Sequence, residues 1–96
     1  MEIKEKITLD EILLKQLNNE LTTQGDWDNL CKNYKLTEEI IENYQDKFDW
    51  FFISKYQRLP ESFIEKYQNK VYWICISQYQ TLSDEFKRKY KCKLYF

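Results

Sequence analysis

Apolar side chains recur along the chain in short groups that are separated by polar residues. One such group is formed by Leu59, Phe63, Ile64 and Tyr67. Their spacing places all four side chains on one face of a helix, and Pro60 suits the first turn of that helix. The pattern therefore predicts a short amphipathic helix that begins just after Leu59.

A second apolar group precedes the first and also has helical spacing. It consists of Trp50, Ile53 and Tyr56, and it follows an aspartate, Asp49. Aspartate is a favoured N-cap residue, so Asp49 predicts the start of a second helix. Asp26 precedes Trp27 in the same way and predicts the same kind of helix start.

A strand is the competing prediction for this second element. Residues 48–53, in which Asp49 is the one polar residue, and residues 71–76 are runs of aromatic, β-branched and other apolar residues, which are typical of buried strands. The chain contains one Gly and one Pro, however, and strand repeats need more turn residues than that. We therefore favour helix–turn–helix units, and an α/β repeat with short strands is the alternative.

An internal repeat organises the chain, and its period is the constant interval between the tryptophans at positions 27, 50 and 73. Aligning residues 36–58 with residues 59–81 gives twelve identities without a gap. Repeats are predicted at about 13–35, 36–58 and 59–81, followed by a truncated copy at 82–96. We expect the repeat core to be formed by the recurring positions Trp27, Trp50, Trp73, Leu36, Leu59, Leu82, Ile53, Ile76, Tyr44 and Tyr67.

The predicted fold is all-α, with the helix–turn–helix repeats stacked as a small solenoid in a single domain that spans residues 1–96. Residues 1–21 contain eight isoleucines and leucines at amphipathic spacing and predict a capping helical segment. Thr37 and Ser83 are good N-cap residues for the first helix of their copies. Repeat arrays need such capping segments because their terminal units face water.

Composition argues against most enzymes. The chain has no His and one Gly, which excludes Ser–His and Cys–His nucleophile pairs and every glycine-rich phosphate loop. Ser54 and Ser77 share a register with Cys31, which indicates a small packed position rather than a nucleophile. The recurring acidic residues are typical of a solvated helix face. We predict no catalytic residue, no metal site and no cofactor.

The cysteines predict a reducing, cytoplasmic location. Cys31, Cys75 and Cys92 are odd in number and widely spaced, so no disulfide or CxxC metal pair is expected. Charges interrupt the segment from Met1 to Leu17, which does not fit a signal peptide, and no apolar run approaches the length of a membrane span.

Charge is distributed unevenly although the formal net charge is −1. Residues 1–46 carry a net charge of −6, and residues 47–96 carry +5. The candidate partner-binding residues are the C-terminal basic cluster with its tyrosines and two further tyrosines outside the repeat pattern: Lys87, Arg88, Lys89, Tyr90, Lys91, Lys93, Tyr95, Tyr72 and Tyr34. A solvated C-terminal helix is the alternative interpretation of this cluster.

Residues 50–71 spell W-x-x-I-S-x-Y-Q-x-L-P-x-x-F-I-x-K-Y-Q-x-K-V, and much of this string returns from Trp73 to Leu82. The pattern resembles a degenerate 23-residue tandem repeat of giant viruses, bacteriophages and AT-rich bacteria. The resemblance covers the chain from about Trp27 onward. It implies a stacked helical repeat and a viral or mobile-element origin, and it supplies no catalytic residue.

The predicted function is that of a non-enzymatic protein-binding repeat module. The resemblance and the small size point to a phage-encoded inhibitor of a bacterial defence protein, of the anti-CRISPR type, that acts by steric occlusion in the host cytoplasm. Its partner would be a defence nuclease or the ribonucleoprotein of that nuclease. No membrane interaction is expected. One alternative is a nucleic-acid or ribonucleoprotein contact protein that uses the basic C-terminal segment, and another is a self-assembling structural repeat.

Overall fold

A computed structural model describes residues 7–17, 21 and 23–95 of the chain. The elements in these residues are β1 (Ile7–Leu9), α1 (Glu11–Leu17), α2 (Gln24–Asn33), β2 (Tyr34–Leu36), α3 (Glu38–Asn43), α4 (Trp50–Tyr56), α5 (Glu61–Lys66), α6 (Trp73–Tyr79) and α7 (Asp84–Lys89). The prediction of a mainly helical chain is confirmed. No helix in this described part is long and apolar enough to cross a membrane.

The chain divides into two compact units, Met1–Asp49 and Trp50–Phe96. In the first unit, β1 and β2 form a parallel pair with Ile7 opposite Tyr34 and Leu9 opposite Leu36. Leu9 is fully buried. The strands differ from the predicted all-α fold, because the extended residues that follow α2 pair with β1 and bury Leu9.

The predicted capping segment, residues 1–21, is helical only in part. Helix α1 lies within it, but Ile7–Leu9 is a strand, so the helical prediction is wrong there. Residues 1–6 and 18–20 lie outside the described residues.

Helix α2 begins earlier than its aspartate predicts. Thr23 is the N-cap, and its hydroxyl accepts a hydrogen bond from the Asp26 N–H at 3.2 Å. The Asp26 carboxylate in turn accepts the Thr23 N–H at 3.0 Å, which completes a capping box. Asp26 is therefore the third residue of the helix rather than its N-cap, and α2 is longer than α4.

Helices α3 and α7 begin at the N-cap residues that the sequence predicts. The Thr37 hydroxyl accepts the Ile40 N–H at 3.2 Å, and the Ser83 hydroxyl accepts the Phe86 N–H at 3.1 Å. These bonds satisfy helix N–H groups that have no partner within the helix. Pro60 stands at the same position ahead of α5 and provides no side-chain bond.

The three helices α3, α5 and α7 also end alike. Each is followed by a tyrosine, at position 44, 67 or 90, whose carbonyl oxygen accepts the N–H of Lys47, Lys70 or Lys93 at 2.8, 2.8 or 2.9 Å. This repeated bond forms a tight turn after each of the three helices.

Aromatic contacts recur at the same offsets within the second unit. The ring of Trp50 lies 6.2 Å from Phe63 and 5.2 Å from Tyr67. The ring of Trp73 lies 6.4 Å from Phe86 and 5.3 Å from Tyr90. In the first unit, Trp27 lies 5.8 Å from Tyr44. Trp50 and Trp73 thus make equivalent aromatic contacts, and Trp27 shares with them the contact to a tyrosine 17 residues later.

Burial of the predicted repeat core is uneven. The buried members are Trp27, Trp50, Leu36, Leu59, Ile53 and Ile76. The half-buried members are Trp73, Leu82, Tyr44 and Tyr67. The rings of Tyr44 and Tyr67 each lie against a tryptophan ring.

Candidate protein-interaction site

The basic cluster of the C-terminal segment separates into two sets of side chains. The Lys89 ammonium forms an ion pair with the Glu65 carboxylate. The Lys93 ammonium lies 5.6 Å from the centre of the Trp73 ring, just as Lys70 lies 5.7 Å from that of Trp50. Lys89 and Lys93 therefore contact their own chain, and the position of Lys93 is one that the repeat defines.

Three groups at the ion pair have shifted pKa values. The hydrogen bonds that Lys89 and Tyr90 donate lower the pKa of the Glu65 carboxyl. The hydrogen bond to Glu65, followed by the attraction between the two charges, raises the pKa of Lys89. Burial raises the pKa of the Tyr90 hydroxyl, and its hydrogen bond to Glu65 adds to this effect. Charged Glu65 and Lys89 and neutral Tyr90 are thus the forms that the fold favours.

Three other cations of the cluster share one open depression. Lys87, Arg88 and Lys91 line it together with Leu94, and its volume is about 460 Å³. Lys87 and Lys91 are one helical turn apart in sequence, and Arg88 lies between them. An arginine with two lysines suits a carboxylate or phosphate group, and Leu94 adds an apolar contact.

The four tyrosines that are predicted to contact a partner differ in their exposure to solvent. Tyr72 and Tyr95 are 48% and 66% exposed, so both are available to a partner. Tyr34 is half-buried within β2. Tyr90 is only 7% exposed, and its ring contacts Trp73 and Phe86. The prediction of Tyr90 as a surface contact is therefore wrong, because Tyr90 holds the register of Tyr67 and belongs to the core.

Helix α6 packs on α4 through a glutamine that the sequence did not single out. The Gln80 side-chain amide donates hydrogen bonds to the carbonyl oxygens of Ser54 at 2.9 Å and Gln57 at 2.6 Å. Its oxygen accepts the Leu59 N–H at 2.9 Å. The signal in the sequence was the identity of Gln57 and Gln80 across the repeat, which helix periodicity does not require.

Two serines link consecutive repeats in the same way. The Ser54 hydroxyl accepts the Tyr72 N–H at 3.0 Å, and the Ser77 hydroxyl accepts the Tyr95 N–H at 2.8 Å. Ser54 is fully buried. This bond gives the serine register a structural role, in agreement with the prediction of a packed position.

One lysine lies among aromatic rings of α4 and α6. The Lys55 ammonium lies 5.2 Å from the Tyr56 ring and 5.6 Å from the Tyr79 ring. Phe51 contacts the Tyr72 ring edge-on at 5.6 Å. Tyr79 is 52% exposed, so part of this aromatic set faces solvent.

The cysteines form no disulfide. Cys31 and Cys75 are buried, Cys92 is exposed, and burial raises the pKa of the Cys75 thiol. Across the residues that the structure describes, no group of three or more Cys, Asp and Glu side chains is placed to hold a metal ion.

Comparison with known proteins yields no relative. No protein-family model matches the chain, and searches of curated proteins and of solved structures return no match. The resemblance to the viral tandem repeat stays a prediction.

Proposed function

We propose that this protein is a non-enzymatic protein-binding module whose helical repeats stack as a small solenoid in one domain. Its primary contact is the depression lined by Lys87, Arg88 and Lys91, and its partner presents a carboxylate-rich patch there. One observation carries this proposal. Three cations and an apolar side chain line a single open depression of the surface.

The chemistry of the depression supports an acidic protein partner. Arg88 offers a planar guanidinium that can bind a carboxylate through two parallel hydrogen bonds. Three positive charges on one surface accelerate the encounter with an acidic patch and disfavour basic partners. Leu94 provides an apolar contact beside the charges. Binding of this kind covers the partner's surface and needs no chemical step.

The viral repeat resemblance supplies a more specific hypothesis for the partner. We propose a phage-encoded inhibitor of the anti-CRISPR type that occludes a bacterial defence nuclease or its ribonucleoprotein in the host cytoplasm. The inhibition would be stoichiometric, because a binding module occupies one target per copy. Turnover of the target by substoichiometric protein would contradict the proposal.

The test compares charge reversal at the depression with an equal reversal elsewhere. The partner is first isolated from host lysate with the tagged wild-type protein, and its Kd is then measured. The variant Lys87→Glu, Arg88→Glu, Lys91→Glu should weaken binding at least about tenfold, the loss of about 1.4 kcal/mol.

The matched control changes three exposed lysines of the first unit. Lys15→Glu, Lys35→Glu, Lys47→Glu produces the same change in net charge and should leave the Kd within about twofold. Equal weakening by both triple variants would indicate a general charge effect. It would show that the depression is not part of the binding interface.

Nucleic acid is a second candidate ligand, because the same depression suits a phosphate and Tyr95 exposes a ring on which a base can stack. A single-stranded RNA oligonucleotide titrated at two salt concentrations separates the candidates. Binding that weakens with salt and disappears in the Lys87, Arg88, Lys91 variant would favour nucleic acid. Absence of RNA binding at low salt would favour the acidic protein as the ligand of the depression.

A further inference from the structure

Helix α4 shows what a repeat looks like when the next repeat covers it. Its outer face meets residues of the following copy at three points, which are a hydroxyl, an aromatic pair and the end of the helix. The Ser54 hydroxyl accepts the Tyr72 N–H, and Phe51 contacts the Tyr72 ring. The Gln80 amide closes the end of the helix through two carbonyl groups.

Helix α6 repeats the first of these contacts. The Ser77 hydroxyl accepts the Tyr95 N–H, so Tyr95 takes the position that Tyr72 holds on α4. Ile74 stands in the register of Phe51, one repeat later, and is 48% exposed. Tyr95 itself is 66% exposed.

Among the described residues, no contact of this kind closes the end of α6. By register, Ser77 O, Gln80 O and the Leu82 N–H correspond to the groups that the Gln80 amide binds on α4. Within residues 7–17, 21 and 23–95, no side-chain amide reaches these three groups.

The residues at the ends of α4 and α6 also differ in burial. Gln57 and Leu59 are each 4% exposed at the covered end of α4. Gln80 and Leu82, their equivalents at the end of α6, are half-buried. One surface, here named the α6 face, is therefore formed by Ile74, Ser77, Gln80, Leu82 and Tyr95.

The α6 face is also uncharged. Gln78 and Thr81 replace the Lys55 and Arg58 of the covered repeat. An acidic partner segment would gain nothing there, in contrast to the basic depression. The groups that the α6 face offers to a partner are a main-chain N–H, two carbonyl groups and apolar side chains.

We propose that the α6 face is a docking site for a helix of a partner protein. The helix carries apolar side chains toward Ile74 and Tyr95, and a Gln side chain that donates to Ser77 O and Gln80 O and accepts from the Leu82 N–H. Continuity with the α4–α6 interface supports this docking site, since the next helix of an array meets the same groups in the same register. The proposal does not depend on the basic depression.

A tethered probe tests the chemistry of this site in the full chain. The probe is a copy of residues 74–81 appended directly after Phe96. The glutamine copied from Gln80, called the added glutamine, then lies one repeat length after Gln80. We expect amide hydrogen exchange at Leu82 to slow at least about tenfold, because the added side chain accepts that N–H.

The matched control carries Glu in place of the added glutamine. A carboxylate repels the two carbonyl oxygens, so this variant should leave exchange at Leu82 near its wild-type rate. A free acetylated and amidated peptide of residues 73–81, added in excess, should slow exchange in the same direction and less strongly, since so short a helix is marginal in water. Unchanged exchange with both probes, or equal slowing by Gln and Glu, would overturn the proposal.

Two further measurements fix the occupant and separate this site from the depression. Ile74→Glu should abolish the effect of the tethered probe, whereas Lys87→Glu, Arg88→Glu, Lys91→Glu should preserve it. Sedimentation of the wild-type chain should show a monomer at high micromolar concentration. A dimer that Ile74→Glu dissociates would overturn the assignment to a partner protein, because a second copy would then cover the face.

Discussion

The side chain of Gln80 donates a hydrogen bond to the main-chain carbonyl oxygen of Ser54, one repeat earlier in the chain, at 2.9 Å. The same amide reaches Gln57 O and the Leu59 N–H, so one residue satisfies three backbone groups where α4 ends. Backbone groups at helix ends lack partners within the helix, and leaving them unpaired in a buried place is costly.

Gln80→Ala should therefore lower the free energy of unfolding by about 1–3 kcal/mol, because three main-chain groups lose their partner. Gln78→Ala, at an exposed glutamine of α6, is the control and should change the free energy of unfolding by less than about 0.5 kcal/mol. Urea denaturation of the three proteins measures both values. Similar effects at the two positions would show that the amide does not hold the end of α4.

Ser54→Ala should be more destabilising than Ser77→Ala. Ser54 is fully buried, and its loss leaves the Tyr72 N–H without an acceptor, at a cost of about 1–3 kcal/mol. Ser77 is half-buried, so water can replace its hydroxyl at the Tyr95 N–H. Thermal unfolding ranks the two variants, and a larger loss for Ser77→Ala would contradict the serine linkage described above.

The pair of Glu65 and Lys89 predicts an acid-sensitive contribution to stability. The pKa of Glu65 in the folded chain lies below its ordinary value of 4.5. The stabilising effect of the charged carboxylate is therefore present above pH 4.5 and is lost as the pH falls through the folded pKa.

Wild type and Glu65→Gln should thus differ in unfolding free energy by a constant amount between about pH 5 and pH 8, and should converge at lower pH. Chemical denaturation across this range tests the prediction. Glu85→Gln, at an exposed acid of α7, serves as the control variant. A difference that grows as the pH falls would reverse the sign and exclude the carboxylate as the source.

Tyr90→Ala should destabilise the second unit strongly, because the Tyr90 ring packs against Trp73 and Phe86. Large aromatic truncations in cores cost about 3–5 kcal/mol. Tyr95→Ala removes an exposed ring and should cost less than about 0.5 kcal/mol. Tryptophan fluorescence during denaturation follows both. A mild effect at position 90 would restore Tyr90 to the surface contacts.

Local rules predicted several of the helical elements correctly. The caps at Thr37 and Ser83 follow from residue type, and α4 and α6 follow from the spacing of Trp50 and Trp73 with their isoleucines. The strand at Ile7–Leu9 was not predictable, because its pairing partner Tyr34–Leu36 lies beyond two helices and nothing local marks either strand.

The candidate site was predictable as a segment and not as a geometry. Charge counting finds Lys87 to Lys93, but only the contacts of Glu65 and Trp73 show that Lys89 and Lys93 are held by their own chain. The register of Tyr90 with Tyr67 indicates a core position, whereas its place among lysines indicates a surface contact, and the ring contacts with Trp73 and Phe86 decide for the core. Gln80 was visible as an identity, and its three bonds depend on the packing of α6 against α4.

Contacts in this chain are defined by offset rather than by absolute position, as the turns after Tyr44, Tyr67 and Tyr90 illustrate. A gene that gains or loses one repeat-length unit by unequal recombination therefore brings equivalent partners back into register. Copy number can change in a single genetic event, without a series of destabilised intermediates. The twelve identities between residues 36–58 and 59–81 fit copies that arose by duplication of one such unit.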